Sequence, residues 1–345
     1  MSIALFDISV IIPFYKRDSY ALATFEALKL QAESDLIRTE VIFVDSNSRQ
    51  SNFDKFLINS KNIEYKIFDV DDYVSIKRNF GIEKAASQNI IIMDDDCLPQ
   101  AGFLKDHLKE IQNNNDKIFF CGVINYQEKL VEKSNYFRFR DYQHRIFDEI
   151  YKNNHELNFH NIVVMNMGFK KSLFINAGIR FNEKYNTYGF DDIQFGLDAL
   201  SKDFKIKTSQ ARVLHQDSTS LSKYYLKLRS FGKTYFSLFY KFNYKYFDMA
   251  YSNKNNIISK NIKDYEALFY LCRINDKLDR KSLSIKIILS IFLLLIKFLN
   301  LIIMSFLIIT DKLKFLYSYR LFKFFVRMTL LESFLDKQEI NKEWL

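Results

Sequence analysis

Ile90-Ile91-Ile92-Met93-Asp94-Asp95-Asp96 is the stretch that decides the fold. Four uninterrupted apolar residues read as a strand buried on both faces. Three carboxylates cannot remain in such a core unpaired, so they mark where the strand leaves it. The same grammar recurs on the amino-terminal side. Residues 8–14 (ISVIIPF) are an apolar run interrupted by Pro13, residues 40–44 (EVIFV) stop at Asp45-Ser46-Asn47-Ser48, and residues 63–69 (IEYKIFD) form another. Residues 19–31 place Leu22, Phe25, Ala27, Leu28 and Leu30 on or near one helical face, and residues 75–87 read as a second helix. Strand, helix, strand, strand, helix, strand predicts an α/β unit with a largely parallel sheet. Ligands of such sheets bind beyond the carboxyl ends of the strands, where Asp45 and Asp94–Asp96 fall.

Farther along, residues 101–113 read as a helix and 117–124 as a strand, while 125–160 are polar, aromatic and poorly periodic. Val163–Lys170 reads as a strand, Ser172–Ala177 as a short helix, Gly189–Leu200 as a helix opened by acids, and 204–214 as a strand ending at His215. Residues 219–251 carry tyrosine, phenylalanine and lysine at helical spacing, and the Asn/Lys-rich piece 252–263 reads as a linker.

A chain of 345 residues with 48% hydrophobic and 26% charged residues can bury a large core, which excludes disorder as its main state. Cys97, Cys121 and Cys272 lack the paired spacing of a disulfide framework or a thiolate zinc site, so a reducing compartment is expected. The opening MSIALFDISVIIPFYK lacks the basic start of a signal peptide. Net charge is +9, yet Lys281–Arg327 holds eight basic residues and one acid, +7 of the total. A nucleic-acid binder concentrates its basic stripe on the folded domain. Here the excess lies beside the greasiest stretch of the chain, which points to an anionic membrane surface and away from nucleic acid.

Two carboxylates at a strand end can share one hard divalent cation with substrate phosphates. Asp94–Asp96 could equally be a solvated turn, Asp191-Asp192 could simply favour a helix start, and His215 could be structural. Their order along the chain says more than any one of them. With Ser9-Val-Ile-Ile-Pro-Phe-Tyr-Lys-Arg17, Glu40–Ser48 and the helix Lys77-Arg78-Asn79-Phe80-Gly81-Ile82, the chain resembles the family 2 glycosyltransferases of the GT-A fold. Asn166-Met-Gly168 through Gly178, and Gly189-Phe-Asp-Asp-Ile-Gln-Phe195, resemble the galactosyltransferase-type carboxyl half. The resemblance covers about residues 8–235.

The resemblance implies a UDP-sugar donor, Mn²⁺ or Mg²⁺, and a saccharide or lipid-linked saccharide acceptor in bacterial surface polysaccharide synthesis. Pro13, Phe14, Tyr15 and Arg17 would cradle the nucleotide. Asp45 would read the base with Ser46 and Asn47 beside it, and Arg78 would lie near the base or diphosphate. Asp96 would ligate the metal, Asp94 would hold the ribose or a metal-bound water, Asp95 would belong to the same donor-binding motif, and His215 would be a further ligand. The family's Glu-Asp pair stands here as Asp191-Asp192; Asp192 would be the base and Asp191 an acceptor contact, for inverting transfer. A non-catalytic glycan-binding or assembly subunit with the same fold is the alternative.

On this reading residues 1–251 form the catalytic domain (1–124 the nucleotide-sugar half, 125–251 the acceptor half), 252–280 a linker or helix and 281–345 a hydrophobic and basic amphipathic helical tail. Ile287–Ile309 is long enough as a helix, about 34 Å, to cross a bilayer, but Lys297 sits near its middle. Residues 312–327 read as a basic amphipathic helix with Arg320, Lys323 and Arg327 on one face. Monotopic attachment is therefore expected ahead of a single span. The catalytic domain should face the cytoplasm, where nucleotide sugars are made.

Overall fold

The computed structural model describes residues 5–46, 55, 57–70, 73–151, 156–157, 162–183, 191–216, 219–241 and 283–336. Asn47, Gly189-Phe190, the aromatic stretch 242–251, the linker 252–263 and Cys272 lie outside the described residues. The chain divides into two compact units. The first holds residues 1–127, 141–186 and 191–217, and the second holds 128–140, 187–190 and 218–345.

The elements in chain order are β1 (Ile8–Phe14), α1 (Asp18–Ser34), β2 (Thr39–Asp45), β3 (Ile63–Asp69), α2 (Val74–Lys84), β4 (Asn89–Met93) and β5 (Cys97–Pro99). There follow α3 (Phe103–Gln112), β6 (Ile118–Tyr126), α4 (Glu128–Lys133), α5 (Asn135–Tyr151), β7 (Glu156–Leu157), β8 (Asn166–Lys170), α6 (Lys171–Asn176), α7 (Asp191–Ser201) and β9 (Lys205–His215). The chain continues with α8 (Leu221–Lys241), α9 (Leu283–Ile309) and α10 (Tyr319–Leu335). Helices α4 and α5 form within 125–160, which the sequence reads as irregular. Helix α10 starts later than expected, because a 3₁₀ turn occupies Lys314–Leu316.

Among the described residues the sheet runs β3-β2-β1-β4-β8-β6-β9-β5, with β7 on β9. Strands β1–β4 pair in parallel, and every residue of β1 and β2 is buried, as covered parallel strands require. This bears out the parallel unit read from the first ninety residues; beyond it β8 is antiparallel to both β4 and β6, so the whole sheet is mixed. Two reversals restore the direction: β6 and β9 run with β4 and pair in parallel with each other. The carboxyl ends of β1, β2, β4, β6 and β9 therefore share one edge, which gathers Phe14, Asp45, Asp94, Tyr126 and His215.

Asn166 and His107 are polar residues of this core that hydrogen-bond to each other, and Asn166 also to the backbone. The register of β6 against β9 shifts between Cys121 and Val123. The Asn166 amide nitrogen fills that bulge, donating to the carbonyls of Val123 and Ala211, each at 3.1 Å. His107, wholly buried, pairs through Nε2 with Asn166 Oδ1 at 2.7 Å, and burial lowers its pKa to about 4. Gly81 lies where a Cβ would come within 2.4 Å of Ile11 Cγ2, so only glycine lets α2 approach β1 this closely.

Candidate active site

Helix α2 carries the centre of the site on an unusual face: Ser75, Lys77, Arg78 and Asn79 are all buried. Polar residues turned inward need partners. The Arg78 guanidinium finds three. Nη1 donates to Asp191 at 2.7 Å and to Asp192 at 3.1 Å, and Nη2 donates to Asp94 at 3.2 Å. The acid after β4 and the acid pair opening α7 thus surround one cation, though about a hundred residues separate them in sequence. The Asn79 amide donates to the Phe181 carbonyl at 2.9 Å and accepts from the Phe181 amide at 3.0 Å. Phe181 in turn stacks on Phe195 of α7, ring centroids 4.3 Å apart, which anchors the helix that presents the acids.

The strand ends complete the site. Arg17 Nη1 donates to Asp95 Oδ1 at 2.9 Å and to Asp96 Oδ2 at 2.5 Å. His215 Nε2 lies 3.4 Å from Asp96 Oδ1, and its Nδ1 pairs with the Tyr126 hydroxyl at 3.1 Å. The Lys77 ammonium donates to the Phe14 carbonyl at 2.7 Å and the Ser46 hydroxyl at 3.0 Å, tying the loop after β1 to the end of β2. Buried Asp45 accepts from the Ser46 amide at 2.7 Å.

A cleft of about 290 Å³ opens here. It is lined by Pro13, Phe14, Tyr15, Arg17, Asp94 and Asp95, all sequence candidates, and also by Val74 and Lys77. Thus the structure brings Asp94, Asp191, Asp192 and Arg78 together, and Arg17, Asp95, Asp96 and His215 together. Arg78 contacts acids rather than the cleft-lining loop after β1.

Electrostatics follow from burial and partners. Burial raises Asp192, helped by the Asp191 charge and opposed by Arg78, to about 8; its side chain keeps 29% exposure. Burial also raises Asp94 against the pull of Arg78, and raises Asp95 to about 7 against Arg17. Asp96 is also buried, but His215 and Arg17 outweigh that and hold it below the usual carboxylate range.

Among the described residues no group of three or more His, Cys, Asp or Glu is placed to hold a metal ion. Hard cations at phosphate sites commonly take only one or two protein ligands and leave the remainder to substrate and water. Asp96 beside His215 fits that smaller demand, with Arg17 competing for the same carboxylate.

Sequence reasoning gave no role to Lys77 or Tyr126. Lys77 left one signal: it sits in an unbroken polar run, Lys77-Arg78-Asn79, on a helix flanked by buried strands. Tyr126 left none, because only the pairing of β6 with β9 sets it opposite His215.

Residues 9–178 match the family model described as Glycosyl transferase family 2. No curated protein matches the sequence. Among solved structures, the chain is similar to S. aureus TarS 1–349, at 15% identity and a TM-score of 0.41, over 65% of this chain and 64% of that one. The same TarS fragment in complex with UDP-GlcNAc gives 15% identity and a TM-score of 0.42, over 65% of each chain. Full TarS matches over 39% of its length at 14% identity and a TM-score of 0.40. The matched share of the TarS 1–349 chain falls just short of two thirds. Residues 9–178, just under half of the chain, are thus similar to glycosyltransferase family 2, and the chain has a mixed α/β fold of the GT-A type.

Proposed function

We propose that the protein transfers a hexosyl unit from a UDP-sugar of the Gal, GalNAc, Glc or GlcNAc type to a saccharide or lipid-linked saccharide, inverting the anomeric centre. The observation that carries this reading is the Arg78 cluster beside the cleft. It sets an acid pair on α7 next to the acid after β4, at the edge where a nucleotide would lie. Pro13, Phe14 and Tyr15 cradle the nucleotide, and Asp45 with Ser46 reads the base. Arg17 and Lys77 supply positive charge along the cleft.

Asp192 accepts the proton of the acceptor hydroxyl as its oxygen attacks the anomeric carbon, and Asp191 positions the acceptor. The bond from that carbon to the diphosphate oxygen breaks with its electron pair on the UDP leaving group. Asp96 and His215 would hold Mn²⁺ or Mg²⁺, which would supply positive charge against the diphosphate, and Asp94 would take the ribose or a metal-bound water. Arg78 keeps Asp192 aimed, and Tyr126 orients His215. The proposed setting is surface polysaccharide synthesis at the cytoplasmic face of the inner membrane, to which residues 281–330 attach the protein.

The test is a screen of UDP-Gal, UDP-GalNAc, UDP-Glc and UDP-GlcNAc, reading released UDP with Mn²⁺ present and with the metal chelated. Turnover of one donor that depends on the metal supports the reading. UDP binding without donor hydrolysis or transfer would instead assign a glycan-binding or assembly subunit.

A further inference from the structure

Helix α9 is apolar enough to cross a membrane: Ile287–Ile309 has a mean hydropathy of 2.7, and 17% of its most apolar window is buried. Its one charge within that stretch, Lys297, does not face outward alone. Lys297 Nζ donates to Asp336 at 2.9 Å, and Asn300 Nδ2 donates to Glu332 at 2.7 Å. From the other side Arg229 pairs with Asp336 and, at 3.2 Å, with Glu332. The Tyr225 hydroxyl donates to Glu332 at 2.8 Å. Glu332 is fully buried and Asn300 is 1% exposed. Two acids at the end of α10 thus lie between cations of α8 and α9. A charge that is costly in hydrocarbon is neutralised inside the helical unit.

The rest of the seam is apolar. Ile303 and Leu307 pack with Leu221, Leu228, Phe322 and Phe325. Helices α8 and α10 therefore run along α9 from Leu307 up to Lys297, on one side. On the other side Ile288, Leu294, Leu295, Phe298 and Leu301 are each more than half exposed. Ile309 (77%) and Phe315 (83%) extend that bare surface into the turn that carries Lys312 and Lys314.

Spanning and lying flat make different demands on this unit. Lys223 of α8 and Arg320 of α10 are exposed along the stretch that packs on α9. If α9 crossed the bilayer, these would enter hydrocarbon at about 3 kcal/mol each. If α9 lies flat, its bare face takes the acyl chains while those cations meet lipid phosphates. We propose that α9 lies in the plane of one leaflet of an anionic bilayer. Its bare face enters the acyl region, and its Lys297–Asn300 seam turns toward α8 and α10. This rests on the membrane attachment proposed above, adds its geometry, and is independent of the transfer reaction.

The full chain should float with phosphatidylglycerol-containing vesicles and bind pure phosphatidylcholine vesicles far less. Ile291→Glu combined with Leu295→Glu and Phe298→Glu should lower the vesicle-bound to free ratio about a hundredfold or more, with donor hydrolysis unchanged. Orientation is read separately, in a Cys272→Ser background, because Cys97 and Cys121 are buried. Ser284→Cys and Lys312→Cys, expressed in bacterial spheroplasts, are each probed with a membrane-impermeant maleimide. Neither should react in intact spheroplasts, and both should react once the membrane is opened. Labelling of either cysteine alone from outside means that α9 spans, which overturns the flat geometry and keeps attachment. A chain that ignores vesicles and forms a detergent-sensitive dimer overturns attachment itself.

Discussion

Arg17 Nη1 lies 2.5 Å from Asp96 Oδ2, so the acid assigned to the metal already holds a cation. Arg17 is 43% exposed at its side chain, while Asp95 and Asp96 are nearly buried. The preceding residue, Lys16, has φ +52°, a left-handed conformation that costs a non-glycine residue of order 1 kcal/mol or more. The protein thus maintains a strained loop that sets a half-exposed arginine over two acids. A divalent ion and Arg17 should compete for Asp96. Arg17→Met should therefore tighten Mn²⁺ binding measured without donor, and weaken UDP binding, because Arg17 also lines the cleft. Weaker Mn²⁺ binding in the variant would show that the two cations do not compete.

Asp192→Asn should reduce transfer about 10²- to 10⁴-fold while leaving UDP affinity nearly intact, since Asp192 lies at α7 rather than in the loops that line the cleft. Calorimetry of UDP binding beside a transfer assay checks it. Normal turnover in the variant places the base elsewhere.

Activity and stability should respond to pH in opposite directions. Burial and Asp191 raise Asp192 to about 8, against Arg78, so the proposed base becomes ionised as pH rises through that value. An acid limb of kcat/KM near pH 8 is expected. The unfolded carboxyl titrates near 3.9, so between these values the native state binds more protons than the unfolded one. Stability from this group is full below about pH 4 and is lost as pH rises through about 8. Denaturation midpoints of wild type should fall across that window, and those of Asp192→Asn should fall less.

Arg78→Gln removes the shared partner of Asp94, Asp191 and Asp192 and should cost about 3–5 kcal/mol of stability. It should also move the acid limb to higher pH, because Arg78 is what restrains the Asp192 shift. Arg78→Lys should not restore activity, since one ammonium cannot reproduce a planar fork serving three carboxylates. Chemical denaturation with a pH–rate profile on both variants tests this, and full rescue by lysine would reject the fork argument.

Much of the amino-terminal part of the sheet is legible from local sequence. Strands β1, β2 and β4 are apolar runs that end at Pro13, Asp45 and Asp94, and each signal lies within a few residues of the boundary it sets. Residues 135–151 are less legible. Their buried aromatics, Tyr136 and Phe139, face Tyr224 and Phe322, and nothing nearby in sequence announces those partners.

The sequence alone determined which groups could do chemistry: acids stopped at strand ends, an acid pair opening a helix, a histidine closing the last strand. Tertiary structure alone decided which of them meet. Two antiparallel pairings return β9 to the direction of β4, and that register sets His215 beside Asp96. It likewise decided that Lys297 is paired, through Asp336 39 residues away. Apolar periodicity is a local property of the chain, whereas the partner of a charge is fixed by contacts that exist only once distant segments have packed.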